Sequence, residues 1–155
     1  MLPQYHIILG AVFSIMLFLI FPQGVGLIGA IIFFLSSFLI DIDHYTGYVI
    51  KKKDWSLKNA ISWHMKMRQK LLSLPRKQRN KFYGMLCHLH SIELLLVLLS
   101  ASIFISQYLL FVALGFAFHM LTDILYQPTY WDRFDKISLI FDYFKYKKLK
   151  NLEDI

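Results

Sequence analysis

The chain has 155 residues, of which 57% are hydrophobic and 17% aromatic, and it carries a formal net charge of +7. So apolar a composition excludes an ordinary soluble domain, and it equally excludes a disordered chain. One cysteine, Cys87, excludes an intramolecular disulfide and fits a reducing compartment; it reads as a small buried apolar residue, with a soft-ligand role beside His88 as the alternative.

Residues 1–40 contain no Asp, Glu, Lys or Arg. Gly24 and Gly26, just after Phe21-Pro22-Gln23, divide this stretch into two apolar runs, about 7–21 and 25–40. The segment before the first run has no basic residue and no small-residue cleavage site follows it, so the run is expected to be retained rather than removed as a signal peptide. Asp41-Ile42-Asp43-His44 closes the second run. Eleven basic residues and one acidic residue, Asp54, then lie between Lys51 and Lys81. Within this segment Trp55, Leu57, Ile61, Met65, Leu71 and Leu72 recur at helical spacing among Lys58, Lys66, Arg68 and Lys70, which predicts an amphipathic helix lying in a membrane interface. Leu74-Pro75-Arg76-Lys77-Gln78-Arg79 reads as a polar break.

Residues 94–122 again lack Asp, Glu, Lys and Arg, and they divide near Ser106-Gln107 into runs of about 92–105 and 108–125. Beyond Pro128 the tail alternates Trp131, Phe134, Ile137, Phe141 and Phe144 with Arg133, Lys136, Lys145 and Lys148, which predicts a second amphipathic helix. The fold class expected is therefore an all-α integral membrane protein: a four-helix transmembrane bundle, with a basic amphipathic segment over 51–87 and an amphipathic tail over 129–155, forming one domain. Each run lies near the short end of the roughly 17–25 residues that span a bilayer. The basic residues fall in the middle segment and the tail, whereas the connections near Gln23 and Gln107 have none. The positive-inside rule then puts both termini in the cytoplasm of an inner membrane. The same charge is expected to attract anionic lipid headgroups, which accounts for it without a nucleic-acid partner.

Nine ionisable side chains able to bind a metal or exchange a proton, His6, Asp41, Asp43, His44, His88, His90, Glu93, His119 and Asp123, flank these runs. Alternating spans bring all of them to one membrane face. His119 and Asp123, spaced i, i+4, share a helix face, with Gly115 one turn earlier on the same stripe. A buried His and Asp one turn apart in an otherwise apolar run need a partner. Asp41 and Asp43 repel unless a cation lies between them, and carboxylates are disfavoured at a helix C-terminus. His90 and Glu93 also share a face, with Ser91 available as a cap. His6 precedes Gly10, which allows close helix approach. His64 reads as a solvent-facing or headgroup-facing residue.

The order of these groups resembles the family of membrane-bound metal-dependent hydrolases that includes the LexA-regulated inner-membrane proteins. The matching positions are His6, Asp41, Asp43, His44, His90, Ser91, His119 and Asp123, all in the four-span core. Members often carry Pro before the first Asp, where this chain has Ile40, and a further His where it has Met85. The resemblance implies a reaction class and no substrate.

Imidazole and carboxylate ligands suit Zn, Mn or Fe, and this many donors leave room for two ions. His6, Asp43, His44, His90, His119 and Asp123 are the metal candidates, with Asp41 and His44 as ligands or orienting partners. Glu93, as general base or as a residue supporting the ligands from behind, and Asp41 are the catalytic candidates. A site at headgroup depth, ringed by cations, suggests a lipid phosphoester substrate. Two other readings compete, a metal-ion or proton transporter and a non-catalytic membrane protein with a structural metal. Transporters place their sites near the midplane, where Phe13 to Leu19 and Leu95 to Ser102 offer no ionisable group.

Overall fold

The computed structural model describes residues 2–154. The first apolar stretch forms α1 (Pro3–Ile20) and α2 (Pro22–Leu39), joined at the non-helical Phe21. Proline opens both helices, where its missing N–H breaks no helical bond. After one helical turn the chain is redirected at Gly26, whose φ of 59° is open to glycine at little cost. Ile40 and Asp41 keep right-handed helical backbone, so α2 runs on with a bend into α3 (Ile42–Lys52). Lys51 and Lys52 in the last turn of α3 complement its dipole, and left-handed Lys53 ends it.

Ser56 caps α4 (Leu57–Ser73) by accepting from the Asn59 N–H, and a short α5 (Arg76–Arg79) and β1 (Phe82–Tyr83) follow. Ser91 caps α6 (Ile92–Phe104) in the same way through the Leu94 N–H, as its position in the sequence suggests. The chain returns through α7 (Tyr108–Tyr126) and a turn of 3-10 helix over Gln127–Thr129. It continues into α8 (Leu139–Lys148) and β2 (Lys150–Asn151), which pairs parallel with β1, and a turn of 3-10 helix over Leu152–Asp154.

Small residues set the packing of α1, α2 and α7. A Cβ on Gly10 would collide with the Ser37 side chain, and one on Gly115 would sit 2.7 Å from the Phe33 carbonyl oxygen. Ser14 Oγ donates to the Ala30 carbonyl across the α1–α2 interface at 2.6 Å. Close backbone approach through small residues is how apolar helices associate where lipid removes the hydrophobic driving force. The outward faces of the same helices are apolar: Ile8, Leu19, Leu27 and Leu125 are all at least 59% exposed. Three helical stretches, Pro3–Ile20, Pro22–Lys52 and Tyr108–Thr129, are long and apolar enough to cross a membrane.

The run expected to supply the fourth span forms a 13-residue apolar helix, α6, shorter than the three candidate spans and packed chiefly on α7. One sequence expectation needs correction. The tail is not one amphipathic helix after Pro128. Lys136 adopts φ of 59° and Ser138 caps a helix that starts only at Leu139, so residues 130–138 form an irregular strap.

Candidate metal centre

Each donor reaches the centre from the end of a helix. His6 lies in the first turn of α1, Asp41 and Asp43 at the bend between α2 and α3, His90 in the loop before α6, and His119 and Asp123 one turn apart near the end of α7. His6, Asp43, His90, His119 and Asp123 are buried. The sequence-derived convergence of these elements at one end of the helices is what the fold produces. Gly10 and Gly115 make it possible, because both lie on the closely packed faces that carry His6 and His119 inward.

Hydrogen bonds fix how the imidazoles are turned. His119 Nδ1 lies 2.8 Å from the Ser37 carbonyl oxygen, an acceptor only, so Nδ1 carries the proton and Nε2 presents its lone pair. His90 Nδ1 donates to Asp43 Oδ2 at 3.0 Å, which also directs its Nε2 inward. The two Nε2 atoms then face each other at 3.0 Å. Two lone pairs at that distance require a cation between them, either a proton or a metal ion. Burial opposes charge on His90, yet the Asp41 and Asp43 carboxylates outweigh it and raise its pKa above the ordinary histidine value.

Asp41 Oδ1 lies 3.5 Å from both Nε2 atoms, and Asp123 Oδ2 lies 3.9 Å from His90 Nε2 and 3.8 Å from His119 Nε2. Ligands about 2.0–2.2 Å from a tetrahedral ion stand ~3.3–3.6 Å apart; Asp41 Oδ1 meets that spacing to both imidazoles, the Nε2–Nε2 distance is shorter and the Asp123 distances are slightly longer. Asp41 Oδ2 and Asp43 Oδ1 are buried without a hydrogen-bond partner among the described residues. Buried carboxylate oxygens left this way are costly unless positive charge lies near. His6 completes the group: it stacks on His119 at 3.7 Å between ring centroids, and its Nε2 is 3.1 Å from Asp123 Oδ1. The clusters His6–Asp41–His119, His90–His119–Asp123 and Asp43–His44–Cys87–His90 each could hold a metal ion.

Other predicted site residues fall differently. Asp43 orients His90 and accepts from the Leu89 N–H at 3.1 Å, leaving only Oδ1 for an ion. His44 sits at the rim, its Nε2 accepting from Lys136 Nζ at 2.8 Å and its Nδ1 3.7 Å from Cys87 Sγ. Burial pushes the Cys87 thiol up to about 12, which agrees with its reading as a small buried residue. His88 is exposed and joins none of the three clusters. Glu93 joins none of the three clusters: it accepts from Ser138 Oγ and the Leu139 N–H and so holds the start of α8.

Sequence reasoning missed two neighbours. His64, read as facing outward, donates from Nε2 to the His44 carbonyl at 3.1 Å and packs edge-on against the His44 ring. Lys136, read as one more basic residue of the tail, projects into the site. Its left-handed backbone is held by its N–H donating to Asp142 Oδ2 at 2.6 Å. Burial opposes its charge, but nearby acidic groups, Asp123 and Asp41 among them, raise its pKa above the ordinary lysine value. No signal local to the sequence marks either residue.

No protein-family model, curated protein or solved structure matches the chain.

Proposed function

We propose that the protein is a membrane-embedded metal-dependent hydrolase acting at the cytoplasmic membrane face on a lipid phosphoester. The observation that carries this reading is the approach of Asp41 Oδ1 and Asp123 Oδ2 to the facing Nε2 atoms of His90 and His119, at 3.5–3.9 Å, with the two Nε2 atoms 3.0 Å apart. These residues, with His6 adjacent, would hold one divalent ion, Zn, Mn or Fe by ligand type. Asp43 Oδ1 with His44 and Cys87 offers a second position. A bound divalent ion lowers the pKa of water to about 7 and polarises a phosphoryl oxygen. The match of His6, Asp41, Asp43, His44, His90, Ser91, His119 and Asp123 to the membrane-bound hydrolase pattern supports the same class.

Position supports the substrate class. The donors gather at the helix ends beside the eleven basic residues between Lys51 and Lys81, and by the positive-inside rule that end faces the cytoplasm. Anionic headgroups concentrate there. The test is elemental analysis of detergent-purified protein together with phosphate release from lipid phosphomonoesters and phosphodiesters. Stoichiometric metal and turnover in the wild type, both lost in His119→Ala and Asp123→Asn, are expected. Metal retained without turnover on any lipid phosphoester would leave a structural site, and absence of metal after reloading would remove the hydrolase reading.

A further inference from the structure

A cavity of about 520 Å³ lies beneath α4 and the tail strap and shares Asp41, His44 and Asp123 with the metal centre. Its volume is within the roughly 300–1,000 Å³ typical of small-molecule sites. Two cationic side chains line it. Lys136 donates to His44 Nε2 and makes no ion pair with a carboxylate among the described residues. Arg68 donates from Nη2 to the Tyr126 hydroxyl at 2.9 Å, and it too has no carboxylate partner among the described residues. The third carboxylate in the lining, Asp135, is already neutralised by Arg133 at 2.9 Å and Lys145 at 3.2 Å.

Apart from His44, His64, Gln127 and the tyrosine hydroxyls the remaining wall is apolar, and its outer edge is open. Leu57, Ile61, Met65 and Leu72 of α4 line the cavity yet are 61%, 58%, 41% and 41% exposed. They therefore face both the cavity and the surroundings, along the stripe of α4 that an interfacial helix turns toward hydrocarbon. The cavity thus joins a partly exposed apolar face to two cations and to Asp41, His44 and Asp123 of the candidate centre. That combination suits an amphiphile with an anionic head.

The geometry points to this cavity as the binding site for the phosphate headgroup of a membrane lipid, with Lys136 and Arg68 holding the phosphate and the α4 face taking the adjoining hydrocarbon. The assignment deepens the hydrolase reading and rests on it only in that a bound ion neutralises Asp41 and Asp123. Lys136 and Arg68 are placed to bind, and charge-assisted contacts to phosphate are the strong class of hydrogen bond. Delivery of Lys136 depends on the strap, whose left-handed turn and bond to Asp142 aim it.

The test uses metal-loaded full-length protein in a neutral maltoside detergent, titrated with dodecyl phosphate and followed by tryptophan fluorescence and calorimetry. Trp63 and Trp131 both line the cavity and report occupancy. Saturable binding is expected in the wild type, weakened about tenfold or more in Lys136→Met and in Arg68→Met, with metal content unchanged in both. Inorganic phosphate at equal concentration is expected not to bind, and equal binding would overturn the lipid assignment in favour of a free-phosphate site. Unchanged affinity in both variants would overturn the proposal. Should Lys136→Met lose metal or fold poorly, Arg68→Met decides, since Arg68 touches no donor of the centre. Tight binding of dodecyl phosphate without hydrolysis of any lipid phosphoester would sink the hydrolase reading and leave the binding site standing.

Discussion

His90 and His119 meet nitrogen to nitrogen, Nε2 to Nε2 at 3.0 Å, and each ring is turned that way by what its other nitrogen bonds. Asp43 holds the first ring and the Ser37 carbonyl holds the second. The arrangement is rigid because neither partner is free to retreat: Ser37 is packed under Gly10, and Asp43 is also tied to the Leu89 N–H. A cation between the rings, a proton or a metal ion, is thus demanded by bonds made away from it, as in sites whose ligands are oriented by their outer hydrogen bonds.

Asp43→Asn tests that organisation. Both bonds end on Oδ2, so the amide oxygen can keep them, but the change removes the negative charge that holds the proton on His90 Nδ1 and puts an NH2 group where Oδ1 was left for an ion. Metal affinity is expected to fall by about 10–100-fold, the usual effect of losing an orienting carboxylate. His88→Ala, at an exposed position, should leave it unchanged. Competition against a chelator of known affinity measures both; equal affinities for Asp43→Asn and wild type would remove the orienting role.

Glu93→Gln separates two meanings of one residue. Spacing alone places Glu93 beside His90 on a helix face, but the side chain instead accepts from Ser138 Oγ and the Leu139 N–H at the start of α8. Metal content should stay at the wild-type level, while loss of the carboxylate cap destabilises the tail by about 0.5–2 kcal/mol. Limited proteolysis should therefore cut the tail faster near residues 130–138. Loss of metal with an intact tail would return Glu93 to the centre.

The contrast between Glu93 and His119 shows what was legible in the sequence. His119 and Asp123 lie on one helix, so their shared face follows from spacing, and the three longest apolar stretches read as helices because no competing signal interrupts them. The partners of Glu93 and Lys136 lie 45 and 92 residues away, and no periodicity encodes such contacts. The tail misled because its apolar residues fit a helical period, while Lys136 in the left-handed region and the Ser138 cap delay the helix to Leu139. In α6 the apolar run forms a helix, and its length is set by where Ser91 caps and where the chain turns after Phe104.

Gly115→Ala probes the close approach that brings His119 inward. The added methyl would sit 2.7 Å from the Phe33 carbonyl oxygen and 2.7 Å from Ser36 Cβ, and neither can move without displacing α2. Overpacking of this kind costs about 1–3 kcal/mol. A lower thermal midpoint in detergent and weaker metal retention are expected together, because His119 lies one turn beyond. Gly24→Ala meets nothing within 4 Å and serves as the control; equal midpoints for the two variants would show that the interface yields.

The tail is fastened through Glu153. Glu153 pairs with Lys51 and Lys52, each at 2.7 Å, and accepts from Trp63 Nε1 at 2.6 Å. Partial burial works against its charge, but these three partners outweigh it and lower its pKa from the ordinary 4.5 to about 2. A depressed carboxylate pKa means that the folded state binds its proton less readily than the unfolded chain does. Its contribution is therefore complete above about 4.5 and is lost as pH falls from there toward about 2. Other carboxylates titrate in the same window, so the informative quantity is the difference between wild type and Glu153→Gln. That difference, read as the thermal midpoint of Trp63 fluorescence, should be full at pH 6 and shrink steadily below about 4.5. Because Lys51 and Lys52 end α3 and Trp63 lies on α4, the variant should also show a tail that is cut more readily at pH 7. Identical midpoints for the two proteins at pH 6 would mean that the clasp adds nothing to how the strap, and with it Lys136, is held.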